Sequence, residues 1–130
     1  TNIRLAGFTD EKELGLRLAA ADIHAVSVRE GWDGIVVPSK FFGAIAMGRP
    51  VIFSGSAKSS ICEYIQRYDI GRVIVGMDVT PTTAWLEELL QTPDSLRQYQ
   101  DRAFRCYRDN FSREKMCRRF SELLVGLGVP

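Results

Sequence analysis

The segment Arg29–Gly34 places an acid, an aromatic ring and two glycines next to one another. Glycines let the backbone approach a ligand closely, and a polar loop after a strand is a common place for a functional residue. Glu30, Gly31 and Trp32 are therefore one candidate binding group. An acidic surface loop anchored by a buried Trp32 explains the same residues equally well.

A second candidate group lies at Pro38–Phe42, where the pattern predicts the start of a helix. The free N–H groups and the dipole of a helix N-terminus favour an anion, and here Ser39 adds a hydroxyl and Lys40 a positive charge. The segment through Phe41 is thus a candidate seat for a diphosphate. The alternative is that Ser39 only caps the helix and Lys40 points to water.

Two further features are weaker candidates. Gly55–Ser60 is rich in serine but lacks the glycine spacing of a Walker motif, and serines before a helix usually form caps and turns. His24, the one histidine, falls inside a predicted strand with no acid or cysteine at ligand spacing, so we expect it in the core. We therefore predict neither an NTPase nor a metal site.

Short apolar segments alternate with segments of helical spacing along the chain. The predicted strands are Ile3–Phe8, Asp22–Val28, Ile35–Val37, Val51–Phe53 and Arg72–Val75. Helices are predicted between them, and Thr80, Pro93 and Ser112 each begin a helix in the last third. This order predicts an α/β fold, a Rossmann-like parallel sheet flanked by helices with a helical C-terminal tail. Ligands bind such sheets beyond the carboxyl ends of the strands, which directs attention to residues 28–40 and 54–60.

The composition limits the classes of partner. A chain of 130 residues with 45% hydrophobic residues has the size of one domain, and a formal charge of +1 provides no general attraction for nucleic acid. The three cysteines lack disulfide or metal spacing, so we interpret them as core or surface thiols in a reducing compartment. No apolar run approaches the roughly 18 residues that cross a bilayer. We expect a soluble, cytoplasmic domain that has been excised from a longer chain.

Four segments in this order resemble the C-terminal domain of glycosyltransferase family 4, and the likeness spans nearly the whole chain. They are Asn2–Phe8, Leu18–Ile23, Arg29–Trp32 and Gly43–Ile52. The segment Val36–Gly43 is similar to a branch of the family that assembles bacterial exopolysaccharide and lipopolysaccharide. The resemblance implies the C-terminal half of a GT-B enzyme, in which two Rossmann-like domains enclose the active site.

The resemblance also implies roles for individual residues. Glu30 corresponds to the first acid of the family's paired glutamates, near the donor sugar, and the backbone of Gly31 and Trp32 follows it. Ser39 and Lys40 lie where the diphosphate is expected. The second glutamate, which binds the ribose in the family, falls seven residues before Pro50, and that position is Gly43 here.

The function implied is transfer of a sugar from a nucleotide diphosphate to a glycan or lipid-linked acceptor, with retention of configuration and without a metal cofactor. The implied partners are the nucleotide-sugar donor, the chain's own N-terminal domain and an acceptor at the inner face of a membrane. We expect the isolated chain to fold but not to catalyse sugar transfer. Two alternatives stay open, a nucleotide-sugar epimerase of the same architecture and a non-catalytic docking module.

Overall fold

The computed structural model describes residues 2–29, 31–32 and 35–127. Three strands form a parallel sheet in the order β1-β2-β3. They are β1 (His24–Ser27), β2 (Val51–Ser54) and β3 (Gly71–Ile74). In the register of the sheet, His24 faces Val51 and Val51 faces Gly71. The predicted α/β class with a parallel sheet is confirmed.

Six α-helices surround or follow the described sheet. They are α1 (Leu14–Ala19), α2 (Ser39–Ala46), α3 (Ser60–Tyr68), α4 (Thr80–Gln91), α5 (Pro93–Cys106) and α6 (Arg113–Gly126). A single 3₁₀ turn, capped by Asp10, precedes α1, and a π-helical turn at Tyr107–Phe111 joins α5 to α6. The predicted helical last third is confirmed, including the cap of α6 by Ser112.

Alternate residues of β2 enter two different cores. Val51 and Phe53 are fully buried in a cluster that includes residues of α2, α3 and α5, whereas Ile52 packs against a second cluster of Trp85, Leu89 and Tyr99. Successive side chains of a strand point to opposite faces, so this division places helices on both faces of the sheet. The apolar character of β2 on both sides follows from that position.

Helix α5 passes along the amino end of the sheet. Arg102 Nε donates to the Asp69 carbonyl at 2.8 Å, just before β3, and Arg102 Nη2 lies 3.0 Å from the Asp69 carboxylate. The same guanidinium stacks on the Tyr99 ring, 4.1 Å from its centroid. Before β2, a Cβ built on Gly48 would lie 3.3 Å from the Gln100 carbonyl. Through these contacts α5 covers the amino ends of β2 and β3. The opposite edge of the sheet, at the carboxyl ends of the strands, is therefore the one that a ligand can reach.

Two predicted strands are wrong. Ile3–Phe8 has no regular structure, and Leu5 and Phe8 are fully exposed. Arg17 Nη1 donates to the Gly7 carbonyl at 2.7 Å, which ties this segment to α1 instead of to the sheet. Ile35–Val37 is also outside the sheet, because the amide groups of Ile35 and Val36 both donate to the Trp32 carbonyl. A β-prone sequence makes a strand only where a neighbouring strand completes its hydrogen bonds.

The three cysteines are expected to differ sharply in reactivity. Cys62 and Cys106 are buried and Cys117 is exposed, as the sequence predicted for core and surface thiols. Burial raises the pKa of Cys62, and burial together with the negative charge of Asp109 raises that of Cys106 to about 11. Since the thiolate is the nucleophile, a disulfide reagent at neutral pH should titrate one thiol quickly in the folded chain and three after denaturation. Cys117→Ser should abolish the fast phase, and a fast phase that survives it would contradict the burial of the other two.

Candidate functional site

A crevice of about 300 Å³ opens at the carboxyl ends of all three strands. Parallel strands finish at the same edge of a sheet, so the loops that follow them meet there. The crevice is lined by Val28, Ser54, Gly55, Ser56, Ala57, Val75 and Gly76. Val28 follows β1, the residues from 54 to 57 end β2 and leave it, and Val75 and Gly76 follow β3.

The loop after β2 is held by its own serines. Ser56 Oγ accepts from the Lys58 amide at 3.1 Å, and the Ser56 carbonyl accepts from the Ser59 amide at 3.1 Å. Ser59 Oγ in turn accepts from the Ile61 amide at 3.3 Å and caps α3. The interpretation of these serines as turn and cap residues is confirmed. Gly55 is needed here because an added Cβ would lie 2.8 Å from the Phe53 ring.

The loop after β3 supplies the remaining wall of the crevice. Gly76 has φ +65°, a left-handed conformation that favours glycine, and a Cβ there would meet no atom within 4 Å. Further along, Asp78 Oδ1 accepts from the Thr80 amide at 3.0 Å at the start of α4. Hydrogen bonds from Thr80 lower the pKa of this carboxyl group. Asp78 therefore stays ionised to a lower pH than an ordinary aspartate.

The N-terminus of α2 carries no side-chain cap. Pro38 occupies the N-cap position, and the alternative prediction that Ser39 caps this helix is wrong, since Ser39 is its first residue. Ser39 and Lys40 are both exposed, and Lys40 forms no ion pair with any residue the structure describes. The Phe41 amide of this turn donates to the Pro38 carbonyl at 3.1 Å. The first turn of α2 thus presents the Ser39 hydroxyl and the Lys40 ammonium group to solvent, together with the backbone N–H groups of these two residues.

Phe41 and Gly43, the other predicted binding residues on α2, are turned away from solvent. The Phe41 ring is fully buried in the main core. Gly43 is half-buried, and a Cβ built on it would lie 3.1 Å from Leu18 Cδ1 of α1. Phe41 can therefore contribute to binding only indirectly, by holding α2 in place against the core. Gly43 faces α1.

The loop after β1 is described in part. Glu30, the predicted catalytic acid, lies outside the described residues, as do Asp33 and Gly34. Gly31 has φ +83°, and the Trp32 side chain is 48% exposed, so the interpretation of Trp32 as a buried anchor is wrong. Its backbone instead closes the loop, since the Trp32 amide donates to the Arg29 carbonyl at 3.2 Å.

The described candidates do not converge on one spot. Gly31, Trp32, Ser39 and Lys40 are exposed around the carboxyl side of the sheet, and none of them lines the crevice. The rule that ligands bind beyond the strand ends indicated Val28 and the loop from Ser54, and both line the crevice. The predicted binding loops were 28–40 and 54–60, so Val75 and Gly76, which follow β3, were not among them.

Comparison with protein-family models, curated proteins and solved structures finds no significant match. Among the described residues, no helix has the length and apolar character that crossing a bilayer requires.

Proposed function

We propose that this chain is the donor-binding domain of a retaining glycosyltransferase and binds a nucleotide-diphosphate sugar. The proposal rests on the structure at the carboxyl edge of the sheet. A crevice opens there, and a helix whose first turn is uncapped and carries Ser39 and Lys40 begins on the same side of the sheet. Helix α2 begins on this side of the sheet because it connects two parallel strands, β1 and β2.

The chemistry required is cleavage of the bond between the anomeric carbon and a phosphate oxygen. Negative charge then develops on the leaving diphosphate, and fixed N–H dipoles and cations stabilise it most effectively. In the proposal the first turn of α2 and the Lys40 ammonium group supply this stabilisation without a metal ion. Glu30 would orient the donor sugar, and this role stays a prediction.

The proposal includes a second domain of the same enzyme, which would supply the acceptor site for a glycan or a lipid-linked sugar at the cytoplasmic face of a membrane. An apolar stripe on α6 supports it. Phe120 and Leu123 are 63% and 65% exposed, three residues apart, and no described residue covers them. Apolar surface of this kind commonly marks an interaction site.

The proposal predicts that nucleotide diphosphates and their sugar conjugates raise the melting temperature of the chain. A ligand that binds only the native state stabilises it by about 2.7 kcal/mol at a hundred times its Kd. Lys40→Ala should reduce the shift, since a charge-assisted hydrogen bond contributes about 1.5–3 kcal/mol, equivalent to a roughly tenfold or larger rise in Kd. Thermal-shift titrations with UDP, GDP and their sugar conjugates measure both effects.

Lys12→Ala is the matched control, since Lys12 is also an exposed lysine but lies on the 3₁₀ turn before α1. It should leave the ligand-induced shift unchanged. Equal losses in the two variants would mean that Lys40 acts only through net charge. The absence of any shift with every nucleotide would contradict donor binding.

The second candidate function is a docking module without catalysis. The α6 stripe favours it, together with an apolar cavity of about 400 Å³ lined by Val37, Phe42, Ser60, Tyr64, Phe111 and Met116. Phe42 and Tyr64 both make edge-to-face contacts with Phe111, at centroid distances of 5.1 and 4.9 Å. A docking module predicts no nucleotide-induced stabilisation, so the same titrations separate the two functions.

A further inference from the structure

We propose that the crevice is a subsite for a neutral sugar ring, the sugar to be transferred, and that the diphosphate binds separately at the start of α2. This inference rests on the proposed donor-binding function and divides the donor between two places on the same edge of the sheet. One place is the crevice between the strand ends. The other is the uncapped first turn of α2.

The chemistry of the crevice wall favours a neutral ligand. None of the lining residues that the structure describes is ionisable; the wall combines the hydroxyls of Ser54 and Ser56 and the backbone of Gly55 and Gly76 with three aliphatic side chains. The aliphatic side chains are Val28, Ala57 and Val75. A sugar ring presents hydroxyls along its edge and C–H groups on its faces, which suits a wall of this mixed character. A diphosphate placed there would lose hydration, and the described lining residues offer no cation in exchange.

The helix that begins beside the crevice, α3, is capped by a side chain of its own loop. Ser59 caps α3 by accepting from the Ile61 amide, and Ser56 accepts from the amides of Lys58 and Ser59 through its side chain and its carbonyl. These three amides are already engaged by the loop itself. In the first turn of α2 the Phe41 amide donates to the Pro38 carbonyl at 3.1 Å, but no side chain caps the helix, and Lys40 adds a cation. Of the two helix N-termini, α2 therefore suits the phosphates better.

The volume of the crevice is suited to a single sugar ring. At about 300 Å³ the crevice is at the small end of ligand pockets, which span about 300–1,000 Å³. A complete nucleotide sugar would extend well beyond it. The sugar ring can occupy the crevice while the rest of the donor continues over the surface towards α2.

The test is a map of backbone amide shifts in ¹⁵N-labelled chain by NMR. Free glucose, galactose, mannose and N-acetylglucosamine form one arm, inorganic pyrophosphate the second, and UDP against its sugar conjugates the third. At least one free sugar should shift the amides of residues 54–57 and 76. Pyrophosphate should shift those of residues 39–41 and leave the crevice amides in place.

Ala57→Leu places a larger side chain at the crevice wall and should abolish the sugar-induced shifts while the pyrophosphate-induced shifts persist. Ala84→Leu is the matched control, because Ala84 is an exposed alanine on α4 that does not line the crevice. The inference is overturned if no free sugar shifts the crevice amides, or if pyrophosphate or UDP alone shifts them. Failure of every nucleotide and of pyrophosphate to bind would instead count against the proposed function, and the free-sugar arm would still decide the inference in the wild-type chain.

Discussion

Gly71→Ala is expected to leave the chain largely unfolded under conditions in which the wild type is folded. Gly71 begins β3 and pairs with Val51 of β2 in the sheet. A Cβ built on it would lie 1.8 Å from the Val51 carbonyl oxygen, and its φ of +154° disfavours a side chain. The obstacle is backbone in the middle strand, so a rotamer change cannot relieve it. We expect a loss of at least about 4 kcal/mol, the range reached by severe steric and backbone defects.

Urea denaturation followed by circular dichroism measures this loss. Gly76→Ala is the informative control, since Gly76 also has a left-handed φ, +65°, but a Cβ there would meet no atom within 4 Å. The free energy of unfolding of Gly76→Ala should fall only by the cost of a left-handed conformation with a side chain, about 1–2 kcal/mol. Similar losses in the two variants would show that backbone conformation, and not the contact with Val51, makes glycine necessary at position 71.

Phe41→Ala is expected to lower the free energy of unfolding by about 3–5 kcal/mol, as for other buried phenylalanines. The ring is fully buried, and its centroid lies 5.2 Å from the Phe42 ring in an edge-to-face contact. Its removal leaves a cavity between α2 and the sheet that close-packed neighbours fill only partly. This change also tests whether Phe41 supports α2 or contacts ligand.

Chemical denaturation of Phe41→Ala should be compared with that of Phe120→Ala. The Phe120 side chain is 63% exposed, so its truncation should change stability by no more than about 0.5 kcal/mol. A Phe41→Ala variant of wild-type stability that failed to bind nucleotide would reverse our assignment, because it would place the ring at the ligand and not in the core.

Local signals in the sequence determined the helices. Ser112 caps α6, and Pro81 and Pro93 stand in the first turns of α4 and α5, as predicted. The sequence predicted that Ser59 or Ser60 starts α3, and Ser59 is its cap. Such signals act within one turn of the chain, so the sequence around them is sufficient. The buried strand at Val51–Phe53 was also predictable, because both faces of a middle strand select apolar residues.

Only the tertiary structure decided which β-prone segments pair and where a ligand can enter. Ile3–Phe8 and Val51–Phe53 are both predicted strands, yet only the second has neighbouring strands on both sides. Likewise, the crevice unites loops that are far apart in sequence, from Val28 to Gly76, and the sequence predicted just part of its wall. Sheet hydrogen bonds and cavities form between distant segments, so their existence depends on how the whole chain packs.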